Sequence, residues 1–75
     1  MRVSTRNVFG GKIKSIKRGV VNAEVTIEIA PDVEMTAGIT LEAIKRLGLR
    51  KGADAYAIIK ASDVMVGTPH HKRGV

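Results

Sequence analysis

The chain has 75 residues, 44% of them hydrophobic, with no cysteine and a formal charge of +6 at pH 7. A domain this small buries only about 60% of the surface its unfolded chain exposes, so its core is marginal. Without cysteine, neither a disulfide framework nor a Cys-based zinc site can reinforce that core, which leaves oligomerisation as the common remedy.

In chain order, Met1-Arg2-Val3-Ser4 lacks the apolar stretch of a signal peptide, and no apolar run is long enough for a transmembrane helix, so a soluble cytoplasmic protein is expected. Asn7 to Lys17 is extended but broken in phase. Gly10-Gly11 interrupts it, and Ile13 and Ile16 do not alternate. A glycine pair inside a strand marks a bulge or sharp bend, which would let one strand pair with two neighbours and turn a barrel corner. Arg18-Gly19-Val20 makes a turn. Val21, Ala23, Val25, Ile27 and Ile29 then alternate strictly with polar residues, Ala30-Pro31-Asp32 turns the chain, and Val33, Met35, Ala37 and Ile39 resume the alternation. This is an antiparallel hairpin with one apolar face.

Thr40 is placed to cap the one helix, with Leu41, Ile44 and Leu47 at threefold spacing, Glu42 in the first turn, Lys45 and Arg46 near the end, and Gly48 as left-handed C-cap. Ala55, Ala57 and Ile59 mark a fourth strand and Val64-Met65-Val66 a short fifth; Thr68 to Val75 is a polar, basic tail expected to fray. Five short strands with a helix between the third and fourth predict an all-β fold with one short helix, in the form of a five-stranded OB-like Greek-key barrel.

Before Glu24 there is no acidic residue, whereas Arg2, Arg6, Lys12, Lys14, Lys17 and Arg18 all fall there. Such an excess implies an anionic partner. For single-stranded nucleic acid the aromatic count is poor, since only Phe9 and Tyr56 could stack on bases. A nucleic-acid-binding OB module is the rival reading, and a purely structural assembly module the next.

Three places combine positive charge with spare donors. Ser4 and Arg6, within Ser4-Thr5-Arg6-Asn7, project to one face of an extended segment. Lys60-Ala61-Ser62 lies where the fourth strand ends and its N–H groups come free. Thr40 opens the helix, whose first N–H groups have no intrahelical partner. A tetrahedral dianion needs many donors and no acceptors, and these pieces supply them with no carboxylate in between. Taken singly, each is also what a solvated strand or a plain helix cap looks like. Catalysis has little support: His70 and His71 are adjacent in the tail, and there is no nucleophile–base arrangement or phosphate-cradling glycine loop.

The runs Ser4-Thr5-Arg6-Asn7, Gly11-Lys12-Ile13 and Gly19-Val20-Val21-Asn22-Ala23-Glu24-Val25 resemble the molybdopterin-binding-like (Mop, TOBE-related) domain of the molbindins. Ile39-Thr40, Leu47-Gly48-Leu49, Gly52 and Lys60-Ala61-Ser62 extend the likeness over residues 2–67, leaving 68–75 as a basic tail. The resemblance implies a single Mop domain that stores molybdate or tungstate, with no cofactor, free metal cation, enzyme activity, membrane or nucleic acid involved. It also implies a homohexamer, a trimer of dimers, with oxyanion sites between subunits. Carried onto matching positions, Ser4, Arg6, Asn7, Lys60, Ala61 and Ser62 would hold the anion from one subunit, and Thr40 would close the site from its neighbour. A second site near a three-fold axis would use the turn containing Gly19, Val20 and Asn22. One departure is Ala43, where the family often has serine; the hydroxyl is lost and the backbone N–H is left to serve.

Overall fold

The computed structural model describes residues 7–69. In chain order these form strands β1 (Asn7–Arg18), β2 (Asn22–Ala30) and β3 (Val33–Thr40), helix α1 (Leu41–Leu47), strand β4 (Asp54–Ile59) and a 3-10 turn (Ala61–Asp63). The strands make one curled antiparallel sheet in the order β3-β2-β1-β4.

β1 organises the sheet because it serves two neighbours. Asn7 to Lys12 pair with β4, and Lys12 to Arg18 pair with β2. The changeover lies beside the glycine pair, as the sequence predicts. A Cβ built on Gly11 would stand 2.3 Å from the Glu28 carbonyl oxygen, so only glycine lets β2 approach here. A bulge follows between Ile13 and Ser15. The extra residue there explains the broken phase of the sequence: Ile13 and Ile16, three apart, both turn inward. Ile13 also bridges to the loop before β4, donating to the Ala53 carbonyl at 2.9 Å and accepting from the Gly52 N–H at 2.8 Å.

The β2–β3 hairpin keeps the register its alternation demands, from Asn22 opposite Thr40 to Glu28 opposite Glu34. Pro31 and Asp32 form its turn, Asp32 taking a left-handed φ of 61° that aspartate tolerates better than most residues. Thr40 caps α1 through a 3.0 Å hydrogen bond from the Ala43 N–H to its Oγ1, and Gly48 ends the helix at φ 67°. Ile44 reaches the core with Ile13, Ala23, Val25 and Ile27, while Leu41 and Leu49 pack at its margin. Leu47, predicted on the same face, is 62% exposed. At about 100° per residue, two steps of three turn it away from the direction of Leu41.

Two expectations need correction. The sheet has four strands, and no ladder joins β3 to β4 among the described residues, so the architecture is a half-barrel, not a closed five-stranded Greek-key barrel. The predicted fifth strand, Val64-Met65-Val66, has no regular structure, and Met65 and Val66 are 92% and 91% exposed. An apolar run of that length makes too few ladder bonds to offset the entropy of ordering it unless a neighbouring strand receives it. The gap between β3 and β4 is a groove of about 340 Å³, lined by residues including Ala37, Ile39, Leu49, Tyr56 and Ile58.

Candidate functional site

Ser4 and Arg6 lie outside the described residues, as do His70 and His71. The remaining predicted donors fall into two groups at opposite ends of β1. At one end, Asn7 lies opposite Ile59, so Lys60, Ala61 and Ser62 follow immediately beyond the same edge. At the other end, Arg18 lies opposite Ala23, Asn22 lies opposite Thr40, and the Leu41 N–H donates to the Val21 carbonyl at 2.9 Å. At about 3.3 Å per residue, the strand path from Asn7 to Arg18 is about 36 Å. One chain therefore does not bring Thr40 to Lys60.

The Lys60 end offers donors and little else. Lys60 precedes the 3-10 turn, whose closing bonds run from the Asp63 N–H to the Lys60 carbonyl at 2.9 Å and from the Val64 N–H to the Ala61 carbonyl at 3.3 Å. The N–H groups of Ala61 and Ser62 open the turn, where a helix's first donors have no partner of their own. With the Ser62 hydroxyl and the exposed Lys60 ammonium they form a compact donor set. Asn7 has a different position from that of a free donor: its Nδ2 donates to the Ile59 carbonyl at 3.1 Å, pinning the start of β1 to the end of β4.

At the Thr40 end the helix start is largely spoken for. The Leu41 N–H goes to Val21 and the Ala43 N–H to Thr40 Oγ1. The Ala43 N–H, which the resemblance leaves to serve in place of a serine hydroxyl, is thus engaged by the cap. What stays available is the Thr40 hydroxyl proton and the Glu42 N–H. Nearby, the Gly19 N–H donates to the Asn22 carbonyl at 2.8 Å, closing the turn between β1 and β2. A cavity of about 320 Å³ opens beside it, lined by Lys17, Arg18, Gly19, Asn22 and Glu24 among others. Gly19 and Asn22 are thus brought together, whereas Val20 does not line the cavity and is almost fully exposed. Lys17 and Arg18 are the residues that sequence reasoning does not assign to this site, although the basic doublet directly before Gly19 is the signal for it.

Charge pairing sharpens the contrast between these ends and the middle of the sheet. Lys12 pairs with Asp54 at 2.6 Å across β1 and β4, and Lys14 pairs with Glu34. The Glu34 carboxylate raises the Lys14 pKa above its usual value, first through the hydrogen bond and then through its charge. Lys17, Arg18, Lys45, Arg50 and Lys60 have no acidic partner among the described residues. Among those residues there is also no group of three histidines, cysteines or carboxylates that could hold a metal ion, and no helix long and apolar enough to cross a membrane.

The chain matches the TOBE domain model over residues 3–66. It is 48% identical over 67 residues to a probable molybdenum-pterin-binding protein of Haemophilus influenzae, covering 89% of this chain and 97% of that one. Among solved structures, MopII from Clostridium pasteurianum superposes with a TM-score of 0.83 at 40% identity, covering 89% of this chain and all of that one. The cytoplasmic molybdate-binding protein ModG, with molybdate bound, superposes with a TM-score of 0.87 at 48% identity over 92% of this chain and 49% of its own. With the match running nearly from end to end, this chain belongs to the TOBE-domain family, beside the small molybdenum-pterin-binding proteins.

Proposed function

We propose that this protein binds molybdate, and tungstate by the same chemistry, for storage and buffering in the cytoplasm, and that it acts by binding and not by catalysis. The observation that carries the reading is the separation of two donor sets within one chain. Lys60, Ala61 and Ser62 stand at one end of β1 and Thr40 at the other, so a site using both is shared between copies, with Ser4 and Arg6 added from the N-terminal segment. Unpaired cations brought together at such a contact repel one another until an anion sits between them. The oxyanion then acts as part of the interface, in a homohexamer built as a trimer of dimers. The molybdate bound to ModG supports the choice of ligand. Lys17, Arg18, Gly19 and Asn22 line the cavity proposed for the second site, near the three-fold axis.

A ligand that binds only the assembled form stabilises it by about 2.7 kcal/mol at a hundredfold excess over Kd. Molybdate is therefore expected to raise the melting temperature, and Lys60→Ala to lose most of that rise while keeping the melting temperature of the free protein. A full molybdate shift in Lys60→Ala would remove Lys60 from the site.

A further inference from the structure

A separate cavity gathers three cations that no carboxylate answers. It holds about 440 Å³ and lies between the end of β1, helix α1 and the loop that follows the helix. Arg18, Lys45 and Arg50 stand on its wall, and none of them has an acidic partner among the described residues. Lys12 and Lys14, by contrast, each find a carboxylate. Apart from Gly48, the rest of the lining is aliphatic: Leu41, Ile44 and Leu49.

Local structure explains how these residues meet. Leu41, Ile44, Lys45 and Gly48 follow one another at steps that share a helix face. The left-handed Gly48 then turns the chain so that Leu49 and Arg50 return to the same cavity. Ile44 is buried and fixes the floor, while Arg18, Lys45 and Arg50 are exposed and can lay their stems over it. A helix C-terminus ordinarily disfavours an anion. Here two of its carbonyls are engaged, that of Ile44 by the Leu49 N–H at 3.0 Å and that of Lys45 by the Gly48 N–H at 3.2 Å.

The lining does not suit a bare oxyanion. It offers no hydroxyl and no side-chain amide, so an inorganic ion would meet only cationic tips above hydrocarbon. Nor does it suit a nucleobase, for no aromatic side chain lines it to stack on a flat ring. We propose that this cavity binds a small, soluble organic anion, an aliphatic phosphomonoester. Its phosphate is held by Arg18, Lys45 and Arg50, and its chain lies on Leu41, Ile44 and Leu49. Three cations match a phosphate dianion better than a single carboxylate, and the two arginines can grip phosphate oxygens in pairs. Lys45 and Arg50 belong to neither oxyanion donor set, and of the cations only Arg18 also lines the cavity beside Gly19.

Hexyl phosphate, titrated by calorimetry into full-length protein already saturated with molybdate, tests this with any oxyanion site filled beforehand. Saturable binding is expected, at least tenfold tighter than that of ethyl phosphate, because each fully buried CH₂ is worth up to about fourfold. Lys45→Gln/Arg50→Gln removes two charges from exposed positions. It should weaken hexyl phosphate at least tenfold and leave the heat of molybdate binding unchanged. The proposal is overturned if the wild type gives no saturable heat, if ethyl and hexyl phosphate bind equally, or if the double variant binds hexyl phosphate as the wild type does. It is equally overturned if hexyl phosphate binds only when molybdate is absent, since it would then be filling an oxyanion site. Vesicles of phosphatidylcholine with phosphatidic acid, and a single-stranded oligonucleotide, present phosphate from other sources and are expected not to retain the protein. Retention by either that the double variant loses would overturn the small soluble ligand. Hexyl phosphate binding without any response to molybdate upholds this site and refutes the oxyanion reading, whereas molybdate binding without hexyl phosphate binding refutes this site alone.

Discussion

A methyl group added at Gly11 meets the backbone of β2, and the size of that collision can be worked out. The new Cβ would stand 2.3 Å from the Glu28 carbonyl oxygen, 2.9 Å from its carbon and 3.0 Å from the Ile29 Cα. Ordinary contact begins near 3.4 Å, so roughly 1 Å of overlap has to be relieved, and the atoms struck are main chain that cannot rotate aside. Overpacking of this kind costs about 1–3 kcal/mol, and a rigid backbone target puts Gly11→Ala at about 2–3 kcal/mol. For a domain of this size each kcal/mol is worth about 4–8 °C, so the melting temperature should fall by about 10–20 °C. Gly10→Ala is the matched control. There the nearest atoms belong to the Tyr56 ring at 3.4 Å, an ordinary contact, and neither glycine has a positive φ. Removing unfolded-state entropy should leave Gly10→Ala within about 1 kcal/mol of wild type. Urea unfolding at one fixed protein concentration measures both, since assembly makes stability depend on concentration. If Gly11→Ala unfolds at the wild-type midpoint, or is less damaged than Gly10→Ala, the close approach of β1 and β2 is not what holds the corner.

Thr40→Ala removes the acceptor for the Ala43 N–H and should cost about 0.5–2 kcal/mol in urea unfolding. Thr40→Ser keeps the oxygen and should restore most of it. The raised Lys14 pKa predicts an alkaline effect: a folded pKa above the unfolded one gives stability that is complete below the unfolded value and is lost as pH rises through the folded one. Wild type should therefore weaken on the alkaline side of the ordinary lysine range, and Lys14→Gln should flatten that part of the melting temperature–pH curve.

The parts of the fold governed by local pattern are legible in the sequence itself. Strict alternation from Ala23 to Ile29 and from Met35 to Ile39 sets the hairpin and its buried face, although Val21 and Val33, in the same phase, are exposed at the strand ends, and Thr40 and Gly48 mark the helix ends because caps answer a local hydrogen-bonding need. The glycine pair announces a bend, but not that β2's carbonyl fills the space over Gly11. The bulge at Lys14 stays hidden, since Ile13 and Ile16 look out of phase until Lys14 is recognised as an extra residue between them, opposite partners only two apart on β2. Val64-Met65-Val66 reads as a strand on propensity alone, yet a strand requires an edge to pair with, and this segment pairs with none among the described residues. The oxyanion donors can be found as residue types at strand and helix ends. Their placement at opposite ends of β1 cannot, because it depends on one long strand carrying two neighbours in succession.

The most direct test of the central claim is titration calorimetry of the purified protein with molybdate, with sulfate at equal ionic strength as the control. The predicted result is tight, saturable molybdate binding with little heat from sulfate, and a stoichiometry near or above one per chain if the second site also fills. No heat from molybdate or tungstate, or equal binding of sulfate, would contradict it.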